Sequence, residues 1–309
     1  MRAGLLPEAF DRNLLPDKPP ALEGSPVEYT VPSGAAFAGG QAMTGELAGR
    51  DLVINMPAST RTRGMIGWTG EPRNVYCVGG AISLTTLTES LLRGVGATGT
   101  IYLEGLELLG GGSLNDVLNL GGTSGSGPWP HRPKVIIQNC ILGGVTGEET
   151  SEKEGKVFHS DTCQMTGGVS QVKLSRVTME GGYQCLIAKG TAGLPYGSLI
   201  LSEVNTRYYK SGTAEEQHNG FHLFLYSMLA EKMPVSFNDV YCDPGLSGRK
   251  LRELIWAARS EAEPTELEGG KKIEFPSSTE VTGIPRLGPP PAGDFCTSAG
   301  LGYASPGHL

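Results

Sequence analysis

The 309-residue chain is expected to fold as an all-β solenoid of short, stacked parallel strands, and three observations predict this. The first is a repeat. Val172-Lys-Leu174-Ser-Arg-Val177-Thr-Met179 spaces its apolar residues two, then three, then two apart. A strand face needs the two-residue step, because successive side chains point to opposite sides. The three-residue step implies a bend that keeps apolar groups pointing inward. The second is composition: 46 glycines, 18% charged residues and 7% aromatics suit many short strands joined by glycine-containing turns. The third is the irregular spacing of the copies, which regular leucine-rich or propeller repeats do not show.

In chain order, residues 1–48 hold Pro7, Pro16, Pro19, Pro20, Pro26 and Pro32, which preclude a long helix. They read as an extended N-terminal arm with a short strand at 27–31, either a loose tail or a segment that docks on a partner. Residues 49–247 hold the repeat. Its clear copies begin at Ile101, Val135, Val172, Leu199 and Val235, separated by 34, 37, 27 and 36 residues. Each copy carries a polar pair, or a polar residue and glycine, at its bend: Glu104-Gly105, Gln138-Asn139, Ser175-Arg176, Ser202-Glu203 and Asn238-Asp239. Earlier strands are expected from Asp51 and Asn74. Residues 248–309 read as a capping segment. Leu251, Leu254, Ile255 and Ala258 follow the helical period over 249–262, and Pro264 stops the helix. The Pro/Gly-rich stretch 270–309 is expected to be extended and either mobile or bound to a partner.

Within each coil a further strand aligns. Phe158, Tyr183 and Phe221 are expected to form an aromatic column, with His159, Gln184 and His222 a polar one beside it. His159 and Asp161, two apart, share a strand face, where an Asp can orient an imidazole and raise its pKa. The pair is the candidate for catalysis, with a polar ladder as the bland alternative. For a glycosidase, Asp161 would need a second carboxylate, and Glu180, Asp116 and Glu203 are the candidates. Sugar binding asks for stacking aromatics and hydrogen-bonding groups. Trp129, His131, Tyr183, Tyr208, Tyr209, Gln164, Gln184 and His222 could supply them.

A net charge of −7 with no Lys/Arg cluster argues against nucleic acid. No apolar run reaches membrane-spanning length, so no membrane insertion is expected. The N-terminus lacks the pattern of a secretory signal, and synthesis in the cytoplasm without export by that route is expected. The six cysteines sit mostly in apolar runs and read as buried free thiols. None has zinc-ligand spacing, so no cofactor or metal site is expected. The acidic loop at 148–154 could hold Ca²⁺, but reads as solvated.

The irregular repeat over 51–245 resembles the right-handed parallel β-helix of the pectate-lyase-like superfamily, and His159-Ser-Asp161-Thr-Cys-Gln164 is similar to HxDxxQ runs in β-helix proteins that act on or bind polysaccharide. In the lyases, the resemblance implies Ca²⁺ held by acidic residues and an Arg base. Arg176 and Arg207 are the residues here that could correspond. A Pro-rich arm before a β-helix resembles bacteriophage tailspikes and head fibres and phage-like gene transfer agents. The resemblance implies a spike or fibre that recognises a bacterial cell-surface polysaccharide, attaches to other particle proteins through its arm and forms a homotrimer. The alternatives are a polysaccharide lyase or glycoside hydrolase of the same fold, and a purely structural particle protein.

Overall fold

A computed structural model describes residues 14–309, apart from 33–35, 44–45, 69, 85–87, 113, 122–131, 146–147, 152–155, 191–195, 209–219, 226–231, 246–247 and 257–262; for some strand residues it describes the backbone alone. The described chain is all-β and its two large sheets are built mainly of parallel strands. The first sheet stacks β1 (Val27–Thr30), β3 (Leu52–Asn55), β5 (Val75–Val78), β8 (Thr100–Glu104), β11 (Lys134–Val145), β15 (Gln171–Gly181), β17 (Leu199–Tyr208) and β19 (Val235–Asp243) in that order. The second stacks β2 (Ala36–Met43), β4 (Arg63–Trp68), β7 (Thr88–Val95), β10 (Leu114–Gly121), β14 (Asp161–Thr166), β16 (Gln184–Lys189) and β18 (Leu223–Phe224). The chain therefore visits the sheets alternately. Each return adds a strand beside the previous one.

The register on the first sheet is the one the repeat implies. Ile101, Val135, Val172, Leu199 and Val235 pair in one column, and Leu103, Ile137, Leu174, Leu201 and Phe237 in another. The three-residue step is a corner. Gly105, Asn139, Arg176, Glu203 and Asp239, the second residue of each bend pair, all have φ between 51° and 65°. This left-handed conformation rotates the strand so that Val177 and Val204 again face the core. It also divides each long strand. The second halves continue the short strands β6 (Ala81–Leu84) and β9 (Glu107–Gly112), of which β9 pairs with both β6 and β11.

A left-handed backbone costs an ordinary L-residue roughly 1–2 kcal/mol, and glycine escapes most of it. Replacing Glu203 with glycine is expected to change stability by less than about 1 kcal/mol, because relief at the corner offsets the looser unfolded chain and the lost Arg176 pair. A β-branched Glu203→Val is expected to cost about 1–2 kcal/mol more than the glycine variant in urea unfolding. Equal stability of the two would contradict the corner geometry.

One apolar core lies between the sheets. It takes Leu174, Val177 and Met179 from the first and Leu118, Leu120, Cys163, Met165, Leu186 and Ala188 from the second. All six cysteines are buried and unpaired.

β1 is the short strand expected over 27–31, and the rest of both terminal regions differs from expectation. β1 and β2 fall within the span read as an arm, and each begins one of the two sheets. Short strands between prolines are enough to pair, although they show no sustained period. Of the helix expected over 249–262, the described residues form one turn, α1 (Leu251–Leu254). Its Leu251 and Leu254 are buried, and Ile255 bridges to Leu223, which closes the β18 end of the second sheet.

Residues 270–309 pack back along the outside of the first sheet. Asp294 binds Asn205 and Arg207, Ser298 accepts from Asn139, and Gly300 donates to the Gly105 carbonyl and accepts from Gly80 N–H. Near the chain's end, Tyr303 and His308 reach Glu104 at 2.9 and 2.8 Å, and Gly307 and Leu309 pair with Leu15. Glu104 is 1% exposed. Burial opposes its ionisation, but hydrogen bonds from Ser305, Tyr102, His308 and Tyr303 hold its pKa below the usual carboxylate range. The tail was not legible because it docks through single residues spaced along a Pro/Gly-rich segment.

Candidate functional site

Three strands of the second sheet share a four-residue pattern: Asp116-Val-Leu-Asn119 on β10, Asp161-Thr-Cys-Gln164 on β14 and Gln184-Cys-Leu-Ile187 on β16. Ser90-Leu-Leu-Arg93 on β7 is a fourth. These align in register, Ser90 with Asp116, Asp116 with Asp161, and Asp161 with Gln184. Arg93, Asn119, Gln164 and Ile187 form the parallel column three residues on. Leu118 and Cys163, between the two columns, belong to the core. The Arg93–Asn119–Gln164 column faces away from it, because Asn119 and Gln164 are half-buried and Arg93 is exposed.

The first column is closed from solvent. Ser90 is 1% exposed, Asp116 1%, Asp161 4% and Gln184 4%. Asp116 is richly bonded. Asn119 Nδ2 donates to Asp116 Oδ2 at 2.7 Å, and Ser90 Oγ lies at 3.4 Å. With its amide oriented to donate, Gln164 reaches both Asp116 oxygens, at 2.9 and 3.1 Å. Burial still pushes the Asp116 pKa up to about 7, against the pull of Asn119, Ser90, the Arg93 charge and the Asp161 N–H.

Asp161 has a different environment. Its Oδ1 and the Oε1 of Gln184, its register neighbour, are buried without a hydrogen-bond partner. Burial, and then the Asp116 charge, raise the Asp161 pKa well above the carboxylate range. The shift favours its protonated form, which has a hydrogen to offer an acceptor. Two adjacent carboxyl groups thus sit in unlike surroundings, one hydrogen-bonded as an acceptor and one with an unpartnered oxygen.

The other expected site residues are dispersed. His159 ends β13 (Lys156–His159), which pairs antiparallel with β12 (Glu148–Ser151), and its side chain is outside the description. Trp129, His131 and Tyr209 lie outside the described residues. So does part of the acidic loop at 148–154. Tyr183, just ahead of β16, is half-buried.

Tyr208 and His222 meet at the far end of the stack. Their rings contact edge-on at 4.5 Å, His222 Nδ1 lies 2.8 Å from Thr206 Oγ1, and Tyr208 donates to the Gly220 carbonyl. His222 is fully buried, and burial together with Arg249 pushes its pKa down to about 3, which leaves it neutral. The expected His159/Gln184/His222 column is not formed, because the register opposes Gln184 to Asp161 and Leu186 to Leu223.

Of the carboxylates weighed as partners of Asp161, Glu180 is paired with Arg207 and Glu203 with Arg176. Asp116 alone stacks directly on Asp161. The same pairs account for the two arginines. They are also not equivalent, since Arg207 lies opposite Glu180. Ser90, Arg93 and Asn119 escaped the sequence reading, although the DVLN and DTCQ runs repeat the same acid-to-amide spacing. Among the described residues, no group of three or more His, Cys, Asp or Glu side chains could hold a metal ion. Nor is any helix among the described residues long and apolar enough to cross a membrane.

No protein-family model, curated protein or solved structure matches the chain.

Proposed function

We propose that the chain is a right-handed parallel β-helix, the spike or fibre of a phage-like particle, and that it recognises a bacterial cell-surface polysaccharide along the outer face of its second sheet. The alternation of strands between two parallel sheets supports the helix, as does a left-handed corner recurring at one register position. Right-handedness follows from the strong preference of parallel crossover connections. The place on a particle is carried by the sequence resemblance, with the N-terminal stretch as its attachment.

The observation that carries glycan recognition is the outward polar column Arg93–Asn119–Gln164, which the closed column Ser90–Asp116–Asp161–Gln184 backs. Guanidinium and amide groups repeat along it at the strand spacing of about 4.8 Å. A linear glycan offers hydroxyl donors and acceptors at a repeat of comparable length. A ladder of groups can therefore meet successive sugars. Nucleic acid would instead need a basic face.

Immobilised O-antigen and capsular polysaccharides provide the test. The protein is expected to be retained by at least one neutral or cationic member of such a panel, and more weakly by uronate-rich polymers, which the net charge of −7 disfavours. Retention by none would refute glycan recognition.

A further inference from the structure

We propose that the bound polysaccharide carries a methyl group, from a 6-deoxy or an acetylated sugar, on the unit that meets Ile187, Phe224 and Trp256. The inference rests on glycan recognition by the outer face of the second sheet, and names the class of sugar chosen there. It starts from the register. Arg93, Asn119, Gln164, Ile187 and Phe224 stand directly beside one another on β7, β10, β14, β16 and β18. Ile255 bridges in parallel to Leu223, and the rings of the two residues that follow, Phe224 and Trp256, stack at 5.2 Å. Trp256 therefore continues the column by one step. The six positions span about 24 Å at the strand spacing. They run from a guanidinium through two amides to one aliphatic and two aromatic side chains. Ile187, Phe224 and Trp256 are half-buried, whereas their chain neighbours Leu186, Leu223 and Ile255 belong to the core.

The two halves of the column ask for different chemistry. Asn119 and Gln164 each bring an amide oxygen and an amide NH₂, which match the hydroxyls of an unmodified sugar. Ile187 and Phe224 have no polar side-chain atom to offer, and Trp256 has a single indole N–H. A hydroxyl pressed against them leaves water without finding a partner, which weakens binding. A methyl group gains by leaving water, and burying one such carbon is worth roughly fourfold in affinity. The rings favour a methyl over the flat face of a sugar. Phe224 and Trp256 are stacked with their planes 25° apart, and the Phe221 ring meets Trp256 edge-on at 5.0 Å. Rings whose faces are turned to one another present their edges to a ligand, a surface suited to a small apolar group. The apolar half spans two strand intervals, about 10 Å, the length of two sugars in a chain. A hydroxyl-rich unit on the amides and a methyl-bearing unit beyond it fit the column together.

The test uses full-length protein and the neutral members of the O-antigen and capsular panel. Affinity is measured for each, and the members are sorted by whether their repeat holds a 6-deoxy or acetylated sugar. The tightest binder is expected in the methyl-bearing set, at least fivefold ahead of every member built only of fully hydroxylated sugars. Mild alkali strips O-acetyl groups. A loss of affinity on treatment assigns the methyl to an O-acetyl group, and an unchanged affinity to a 6-deoxy or N-acetylated sugar. Ile187→Asn carries the amide half one strand further and should narrow the fivefold gap to less than twofold. Ile187→Val keeps the apolar surface and should keep the gap, with circular dichroism showing both variants folded. A tightest binder of fully hydroxylated sugars, or a gap unchanged in Ile187→Asn, overturns the inference and leaves recognition standing. Retention of no polysaccharide overturns recognition, and the sugar class with it.

Discussion

Asp161→Asn is expected to make the protein more stable at pH 8, by about 2–4 kcal/mol or a melting temperature roughly 5 °C or more higher. Most buried polar substitutions go the other way. The reason lies in linkage. Burial pushes the Asp116 pKa up to about 7 in the folded protein, against 3.8 for an ordinary aspartate, and raises Asp161 as well. The folded state therefore binds more protons than the unfolded chain between about pH 4 and pH 7. Stability from these two carboxyls is fully present below that window and falls as pH rises through it.

For Asp116 alone, the rise corresponds to roughly 4 kcal/mol of folded-state preference for the protonated form. Asparagine removes one carboxyl of the repelling pair and offers an N–H where Gln184 Oε1 has none. Thermal melts from pH 4 to pH 9 check this. Wild type should lose stability towards high pH, and the variant should follow a flatter curve. Parallel curves would contradict the electrostatic reading of the pair. A stabilising substitution at two stacked acids also marks a place where stability is given up, as functional sites do.

Gly144→Ala is expected to cost about 3 kcal/mol, a large loss for adding a single methyl group. Gly144 lies in β11 at φ 77°, and a Cβ there would stand 2.1 Å from the Gly110 carbonyl oxygen of the neighbouring strand β9. A side chain could rotate away, but a carbonyl in a paired strand cannot. The left-handed backbone contributes roughly 1–2 kcal/mol and the overpacking about 1–3 kcal/mol. Gly49→Ala is the control, since Gly49 has φ 71° but nothing within 4 Å of an added Cβ. It should show only the backbone share. Urea unfolding of both variants measures the difference directly. Equal losses would mean that the two strands do not approach as closely as described.

The first sheet was legible in the sequence. Its apolar positions fall two, three and two apart in the clear copies, with Thr206 at the last position of one, and the corner residue is polar or glycine each time. Buried strands with a fixed corner leave that trace whatever the length of the connections between them. The second sheet was read in the wrong register. Phe158, Tyr183 and Phe221 suggested an alignment that put Asp161 beside Leu186, whereas the strands pair Asp161 with Asp116 and Gln184. Aromatic residues outside the repeating core misled the alignment, and the 45 residues between Asp116 and Asp161 hid their kinship. What remained visible was the spacing from acid to amide in DVLN and DTCQ. The tail packed over Glu104 left no periodic trace at all, because its hold depends on Tyr303, Ser305 and His308 individually.

The most direct measurement is equilibrium binding of one retained polysaccharide to Asn119→Ala and Gln164→Ala, beside Lys173→Ala on the outer face of the first sheet. Glycan recognition along the second sheet predicts at least tenfold weaker binding for the first two and an unchanged affinity for the third. Wild-type affinity in Asn119→Ala and Gln164→Ala, or a loss confined to Lys173→Ala, would contradict it.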